Sequence, residues 1–281
     1  MKHRYAVITG CSSGFGALMA IELAKIGFHI IATMRNTKKR AFLMDNAKRE
    51  GIQEQITIHE LDVTSSNSIE ELKFHLKQLP SVDVLINNAG FAGAGFAEEI
   101  PLDEYRRQFE TNVFGTIGVT QAVLPFMRTQ RKGTIINISS ISGRVAFPGL
   151  SPYAASKFAV EGWSESLRLE MKPFGVHVVL LEPGSFKTGI WTTGKQVTEK
   201  SLEKDSPYYP YMLKIQGYLD KNAPFYEEPI IVAKKAASIA MEDEPSLRYP
   251  VGKGVQTKIN LKSLLRWKTW EKVILKTLYK N

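Results

Sequence analysis

The chain has 281 residues with a formal net charge of +9, 43% hydrophobic and 23% charged residues, and a single cysteine, Cys11. This composition is that of an ordinary globular protein. It excludes an internal disulfide, and no apolar run approaches the ~20 residues of a membrane-spanning helix. A strand-like run starts at Tyr5 and leaves no room for a signal peptide, so we expect a cytoplasmic protein.

The positive charge is concentrated at the end of the chain. Residues 253–281 carry eight basic side chains against Glu271 alone, a net charge of +7, so the first 252 residues are almost neutral. Because these basic residues form a tail without a motif that reads bases, we expect no nucleic-acid partner.

The first predicted element is a buried strand, Tyr5–Ile8, and a helical pattern begins at Ala17. The turn between them is rich in glycine. Its glycines let the backbone approach a pyrophosphate, to which the helix N-terminus presents free N–H groups. The alternative is a tight strand–helix connection without a ligand. The residues that we expect to bind a cofactor here are Gly10, Ser12, Ser13, Gly14, Phe15 and Gly16.

The second predicted strand, Phe28–Thr33, is followed by Arg35 rather than by a carboxylate. In dinucleotide-binding folds an acidic residue at this strand end bonds the ribose 2′-hydroxyl of NAD, whereas an arginine accommodates the 2′-phosphate of NADP. The sequence therefore favours NADP(H), with Arg35 as the phosphate partner, and leaves NAD(H) as an alternative. The other interpretation of Arg35 is a solvated residue that opens a surface helix.

Two further predicted strands, Ile56–Leu61 and Val82–Ile86, also end in polar or small residues. We expect Asp62, beside Val63, to accept a hydrogen bond from the adenine amino group. After the fourth strand, small residues would let the backbone lie against the adenosine, while Asn87 could instead tie neighbouring strands together. The candidate cofactor residues of this segment are Asn88, Ala89 and Gly90.

The pattern then continues to alternate between helix and strand. A long helical region covers Leu102–Arg131 and contains the polar Asn112, and two strands follow at Thr134–Ile138 and Val176–Leu181. This alternation predicts an α/β fold, a doubly wound parallel sheet with helices on both faces. Ligands of such sheets lie at the carboxyl ends of the strands. Each candidate residue lies either at one of these strand ends or on the helix that follows it.

Tyr153 and Lys157 lie four residues apart on a predicted helix that follows Ser140. We take Ser151 as the N-cap of this helix and Pro152 as its first residue. The spacing places the two side chains on one face, where an ammonium group would lower the pKa of the phenol and favour proton exchange. The Ser140 hydroxyl could hold a substrate oxygen. The alternative is a half-buried tyrosine beside a surface lysine.

Together these motifs resemble the short-chain dehydrogenase/reductase family over residues 4–190, through TGxxxGxG from Thr9, NNAG from Asn87 and YxxxK from Tyr153. The resemblance implies a seven-stranded Rossmann-type sheet that ends at Arg248–Val251, and hydride transfer between a nicotinamide and a carbonyl/alcohol pair. The turn lacks the basic residue that often marks NADP users. The resemblance also implies a homodimer or homotetramer. We expect no metal site.

The resemblance implies a role for each catalytic candidate. Tyr153 would give or take the substrate proton, Lys157 would lower its pKa and hold the nicotinamide ribose, and Ser140 would position the substrate oxygen. Asn112 would keep a water-linked proton path to Lys157. The segment implied to lie on the nicotinamide side contains Pro183, Gly184 and Thr188.

The domain expected from these patterns covers residues 1–252, followed by a basic amphipathic extension over 253–281. The regular pattern breaks over residues 189–229, and the resemblance implies that this segment is a variable lid over the substrate. The aromatic lid indicates a bulky apolar substrate such as a steroid, a retinoid or a long-chain carbonyl compound. Alternatively, the lid packs against the body or another subunit. The residues expected in the substrate pocket are Phe91, Val145, Phe147 and Trp191.

The tail from Leu261 to Tyr279 has helical spacing with interleaved lysines and two tryptophans. Such a helix either lies on an anionic membrane surface or packs on the body.

The motifs together make an NADP-dependent carbonyl reductase or alcohol dehydrogenase the leading function. The alternatives are a 3-oxoacyl-type reductase and a non-catalytic protein that senses NADP.

Overall fold

The computed structural model describes residues 4–188 and 194–279. Within these residues, nine strands and ten α-helices are joined by short 3₁₀ segments. The strands are β1 Arg4–Ile8, β2 Phe28–Met34, β3 Ile56–Glu60, β4 Val84–Asn87, β5 Ala92–Ala94, β6 Gly133–Ile138, β7 Val176–Pro183, β8 Lys195–Val197 and β9 Arg248–Val251. The helices are α1 Gly14–Lys25, α2 Ala41–Arg49, α3 Ser66–Leu76, α4 Leu102–Phe109, α5 Gly115–Gln130, α6 Ser151–Met171, α7 Tyr209–Asn222, α8 Ile230–Ile239, α9 Val255–Leu264 and α10 Trp267–Tyr279.

The main sheet of the described residues has seven parallel strands in the order β3-β2-β1-β4-β6-β7-β9. Side chains alternate between its faces, so that Ala6 and Ile8 pack with α1 and α8, whereas Val7 packs with α3 and α5. The sheet is therefore buried on both sides, as the apolar strands predicted. All seven predicted strands are present, and the doubly wound α/β fold is confirmed.

Helical structure between β5 and β6 differs from the single helix predicted over Leu102–Arg131. A π-helical turn, Glu110–Phe114, separates α4 from α5. The turn contains Asn112, whose side chain is tied to the Phe91 backbone, and Gly115 follows it where a Cβ would lie 2.7 Å from Val63 Cγ2. Helical periodicity runs through all three segments, which is why the sequence pattern does not show the wider turn.

The start of α6 is shifted by one residue from the prediction. Leu150 occupies the N-cap position, Ser151 is the first helical residue and Pro152 is the second. The Ser151 hydroxyl does not cap the helix but forms a hydrogen bond of 2.6 Å with the Tyr105 hydroxyl of α4. A tertiary contact thus replaces the local cap that the sequence suggested.

The C-terminal tail forms two helices rather than one, because the chain turns at Leu265 between α9 and α10. Trp270 of α10 is 5% exposed and packs with Ile141, Val145 and Ile259, while Trp267 is 66% exposed. The tail is therefore attached to the body through one of its tryptophans. None of the described helices is both long and apolar enough to cross a bilayer; membrane contact stays a prediction.

The segment predicted as an irregular lid contains regular structure. Within its described part, β8 pairs in parallel with β5, and α7 lies against α10 through a Tyr211–Tyr279 ring contact at 5.2 Å. Lys214 Nζ of α7 also donates to the Tyr279 carbonyl at 3.1 Å. The lid and the tail thus support each other.

Candidate active site

A cleft of about 1090 Å³ opens at the carboxyl ends of the sheet strands. It runs from the β1–α1 turn, past the ends of β2, β3 and β4, to Ser140 and the end of β7. Most of the residues expected at a cofactor or substrate site come together in its wall, although they are spread along the chain from Gly10 to Thr188. These are Gly10, Ser12, Ser13, Gly14, Phe15, Arg35, Asp62, Val63, Asn88, Ala89, Gly90, Phe91, Ser140, Tyr153, Lys157, Pro183, Gly184 and Thr188.

The glycine-rich turn is fixed by the end of β4. The Thr9 hydroxyl accepts hydrogen bonds from the backbone N–H groups of Asn88 and Ala89, both at 2.9 Å. Asn88 Nδ2 donates in return to the carbonyl oxygens of Thr9 and Gly10 at 2.8 and 3.1 Å. The two loops therefore form one rigid floor. Ser13 makes no side-chain cap on α1, so the first N–H groups of this helix are available to an anion.

Gly16, predicted to contact the cofactor, lies behind the turn rather than in the cleft wall. A Cβ at this position would lie 2.3 Å from the Gly10 carbonyl oxygen and 2.6 Å from Asn88 Nδ2. No side chain fits there, so Gly16 allows α1 to approach the turn. Its role is close packing of the backbone.

Asn112 is also outside the described lining of the cleft and is 2% exposed. Its Oδ1 accepts from the Phe91 N–H at 3.2 Å, and its Nδ2 donates to the Phe91 carbonyl and to Ser156 Oγ at 3.1 and 3.2 Å. The side chain therefore holds Phe91, which lines the cleft, against α6. Asn87, which was weighed as a structural residue, similarly donates to Asn137 Oδ1 and Thr120 Oγ1, both at 2.8 Å.

Tyr153, Ser140 and Lys157 meet in the middle of the cleft. Tyr153 is 4% exposed and shares a hydrogen bond with the Ser140 side chain. Lys157 Nζ lies 5.7 Å from the centroid of the Tyr153 ring and donates to the Ile138 carbonyl at 2.6 Å. The end of β6 thus fixes the lysine, and the first two turns of α6 bring Tyr153 to Ser140 and Lys157 beside the Tyr153 ring.

The pKa of Tyr153 is raised, whereas we expected Lys157 to lower it. Burial raises the pKa of Tyr153 to about 12, and the opposing influence comes from the Ser140 hydroxyl. Burial also lowers the pKa of Lys157 to about 8, against the attraction of Glu161. Loss of hydration disfavours both charged forms, so Tyr153 holds its proton firmly at neutral pH.

Arg35 is exposed and lines the cleft beyond the end of β2, together with Asn36 and Lys39. Asn36 Oδ1 accepts from the Lys38 N–H at 3.0 Å and so turns the chain away from β2. Asp62 lines the same region, where its Oδ1 accepts from the N–H and the hydroxyl of Thr64 at 2.9 and 2.7 Å. The cationic side chains of Arg35 and Lys39 thus line the cleft beyond the end of β2.

A second cavity of about 290 Å³ adjoins the cleft, and both share Gly184. Gln196 of β8 lines the cleft, while the preceding Lys195 lines the second cavity. Of the residues predicted to form the substrate pocket, Phe147 lies in this cavity. Val145 does not line either cavity; it is fully buried in the cluster that holds Trp270. Trp191 lies outside the described residues.

Sequence reasoning did not identify most of the wall of this second cavity. Met212, Ile215 and Leu219 of α7 line it together with Leu278 of α10. The spacing of three and four residues on α7 is a helical signal that could have revealed one apolar face. The contribution of Leu278 could not have been found, because it depends on how the tail folds back.

Cys11 lies within the glycine-rich turn but takes no part in the cleft surface. It is fully buried, its thiol donates to the Ile8 carbonyl at 3.2 Å, and burial raises its pKa to about 12. A thiol in this state is not a nucleophile at neutral pH.

Comparisons with known proteins agree with this geometry. The family model described as short chain dehydrogenase matches residues 4–198. The chain is 43% identical to the uncharacterized oxidoreductase YusZ of Bacillus subtilis over 280 residues, 99% of this chain and 100% of that protein. It is 34% identical to a 3-ketodihydrosphingosine reductase of Bacteroides thetaiotaomicron, covering 91% of this chain and 90% of the relative.

Among solved structures, a variant of actinorhodin polyketide ketoreductase with NADPH aligns with a TM-score of 0.76 at 25% identity, over 90% of this chain and 97% of that one. The chain therefore belongs to the short-chain dehydrogenase/reductase family. Its activity is accordingly that of an NAD(P)-dependent oxidoreductase.

Proposed function

We propose that this protein is an NADP-dependent reductase of bulky apolar carbonyl compounds, with Tyr153 as the acid that protonates the substrate oxygen. The observation that carries the proposal is the meeting of Tyr153, Ser140 and Lys157 in a cleft that also contains the glycine-rich turn. A bound NADPH would supply the hydride, and the protein supplies orientation and a proton.

The residues of the cleft fit a dinucleotide. The uncapped N-terminus of α1 and the turn at Gly10 suit the pyrophosphate, and Arg35 with Lys39 suits a ribose 2′-phosphate. We assign Asp62 and Val63 to the adenine, and Asn88, Ala89 and Gly90 to the adenosine, because all five line the cleft. Pro183, Gly184 and Thr188 are assigned to the nicotinamide side. The preference for NADPH is also in line with the NADPH-bound ketoreductase that shares this fold.

The three polar groups have separable roles in the proposed reaction. Ser140 orients the substrate oxygen beside the Tyr153 hydroxyl, which donates its proton as the oxygen gains negative charge. A phenol with a raised pKa keeps this proton until such a base forms. Lys157, held by the Ile138 carbonyl, stabilises the resulting phenolate with its positive charge. In alcohol oxidation the same proton returns to Tyr153.

The second cavity is assigned to the apolar part of the substrate. It adjoins the cleft at Gly184, and apolar side chains of α7 and α10 contribute to its wall. A long-chain ketone is the substrate class that we favour, and the 3-ketodihydrosphingosine reductase among the relatives supports it. We therefore propose that the domain over residues 1–252, its lid and its C-terminal tail all contribute to one substrate site.

The test is to titrate NADPH and NADH separately and then to follow NADPH oxidation with long-chain and short-chain ketones. Tyr153→Phe should lower kcat by about 10²–10⁴-fold while the Kd for NADPH stays within a few-fold. Tyr105→Phe is the matched control, because its hydroxyl bonds Ser151 outside the cleft. Equal kcat for Tyr153→Phe and the parent would refute the assignment. Tight NADPH binding without turnover would favour a sensing role.

A further inference from the structure

A buried cluster of charged side chains lies behind the wall of the cleft. Glu161 stands one turn after Lys157 on α6 and is 4% exposed, and Glu182 of β7 is fully buried. Arg248 of β9 joins them: its Nε donates to Glu161 Oε2 at 3.0 Å and forms an ion pair with Glu182, lying 3.2 Å from Oε1. Arg144 Nη1 donates to Glu182 Oε1 at 3.1 Å, and Arg248 also pairs with Glu165.

This cluster contains buried acceptors that are not satisfied. Glu161 Oε1 and Glu182 Oε2 have no hydrogen-bond partner among the described residues. A Cβ placed on Gly143 would lie 2.8 Å from Ser139 Oγ, 3.0 Å from Glu161 Cγ and 3.2 Å from the Lys157 carbonyl. The glycine thus lets Glu161 approach Ser139, which lines the cleft.

Two carboxyl groups that share one guanidinium nitrogen repel each other when both are ionised. Burial raises the pKa of Glu161 to about 7, and the charge of Glu182 adds to the rise, while a hydrogen bond from the Ser139 side chain and the charge of Arg248 oppose it. Burial lowers the pKa of Lys157 to about 8, and Glu161 is the group that opposes this fall. A charged Glu161 therefore favours the ammonium form of Lys157.

We propose that Glu161 is a positioning residue that keeps Lys157 protonated and so sets the upper pH limit of carbonyl reduction. The inference rests on the proposed function of Tyr153 and Lys157. The charged groups that face Glu161 are Lys157 and Glu165 on α6, Glu182 on β7, Arg248 on β9 and, through Glu182, Arg144 after β6. Of these, Lys157 is the one that reaches the reacting atoms.

The sign of the effect follows from charge. Replacing Glu161 by glutamine removes a negative charge one helical turn from Lys157, so the pKa of Lys157 falls further and its ammonium form is lost at lower pH. The alkaline limb of the kcat/KM profile for ketone reduction should move down by roughly one pH unit. Glu161→Asp moves the carboxylate away by one methylene and should give a smaller shift in the same direction.

Glu165→Gln is the matched control. Glu165 lies on the same helix and binds the same arginine, but its side chain is 54% exposed and solvent screens its charge. We would measure kcat/KM with NADPH and a long-chain ketone from pH 6 to 10 for the parent, Glu161→Gln, Glu161→Asp and Glu165→Gln. Thermal unfolding of each variant would be followed alongside.

The proposal is supported if the alkaline limb moves down for Glu161→Gln, less for Glu161→Asp, and not for Glu165→Gln. It is overturned if the limb of Glu161→Gln coincides with that of the parent, or if Glu165→Gln shifts equally. Should the glutamine variant unfold at assay temperature, the aspartate variant decides, and an unshifted limb refutes the role. A parent without ketone turnover would instead refute the proposed function.

Discussion

The cleft and the second cavity are neighbours that are built in different ways. The floor of the cleft consists mainly of backbone at strand ends, tied together by bonds such as those of Thr9 and Asn88. The wall of the second cavity includes apolar side chains of α7 and α10, which are held by tertiary packing around Trp270 and Tyr279. Short motifs can specify the first kind of site, whereas the second depends on how distant segments meet.

The largest effect is expected from Trp270→Ala, which should weaken the second cavity and leave the cleft intact. Removing this buried side chain should lower the free energy of unfolding by about 3–5 kcal/mol. It should also loosen α10 and weaken turnover of long-chain ketones, while NADPH affinity stays within a few-fold. Urea denaturation and NADPH titration would measure both, with the exposed Trp267→Ala expected to change stability by under about 0.5 kcal/mol. Loss of NADPH binding would show that the cleft depends on the tail.

Gly16→Ala should instead distort the glycine-rich turn of the cleft and weaken cofactor binding. Its Cβ would lie 2.3 Å from the Gly10 carbonyl, so the turn must move, at a cost of about 3 kcal/mol and with more than tenfold weaker NADPH binding. Gly162→Ala on α6 is the control, because a Cβ there meets nothing within 4 Å and should stabilise the helix by about 0.5–1 kcal/mol. Unchanged NADPH affinity in Gly16→Ala would contradict the rigid floor described above.

Arg35→Ala is expected to change the choice of cofactor alone. Losing a charge-assisted contact with the 2′-phosphate should weaken NADPH binding by about 10- to 100-fold and leave NADH binding unchanged. Fluorescence titration with both cofactors would measure this. Arg49→Ala, on α2 outside the cleft wall, serves as the control. A variant that loses NADPH and NADH affinity equally would remove Arg35 as the phosphate partner.

Ile215→Trp should produce the smallest effect, confined to the second cavity. The larger side chain would occupy part of the 290 Å³ and lower kcat/KM for a long-chain ketone by about tenfold, with little change for acetone-sized substrates. Leu213→Trp, on the exposed side of α7, is its control. If both variants act alike on long and short ketones, the apolar chain does not occupy this cavity.

The same contrast explains what could be predicted from sequence. The strands, the glycine-rich turn and the Tyr153–Lys157 pair were predictable because their periodicity and spacing are local. The π-helical turn at Asn112, the shifted start of α6 and the bend at Leu265 were not, since each depends on a contact with a distant segment. The prediction that Val145 lines the substrate pocket was wrong for the same reason. An apolar residue after Ser140 can contact either a substrate or another part of the protein, and Val145 packs with Trp270 of the tail.

The pKa of Tyr153 illustrates a further point. The spacing of Tyr153 and Lys157 indicates that the two groups are close, but the direction of each pKa shift depends on how deeply the fold buries them. In this site, loss of hydration is the largest influence on the pKa of both groups. Sequence spacing therefore locates an acid–base pair without giving its protonation state.

The burial of Cys11 has a practical consequence for spectroscopy. As the single cysteine of the chain, with a thiol that bonds Ile8 and a raised pKa, it should be inert to maleimide reagents in the folded protein. A cysteine introduced on the exposed side of α7, as in Leu213→Cys, would then be the one position that reacts. A dye or spin label attached there would test whether α7 moves during turnover, without removal of any native residue in the active site.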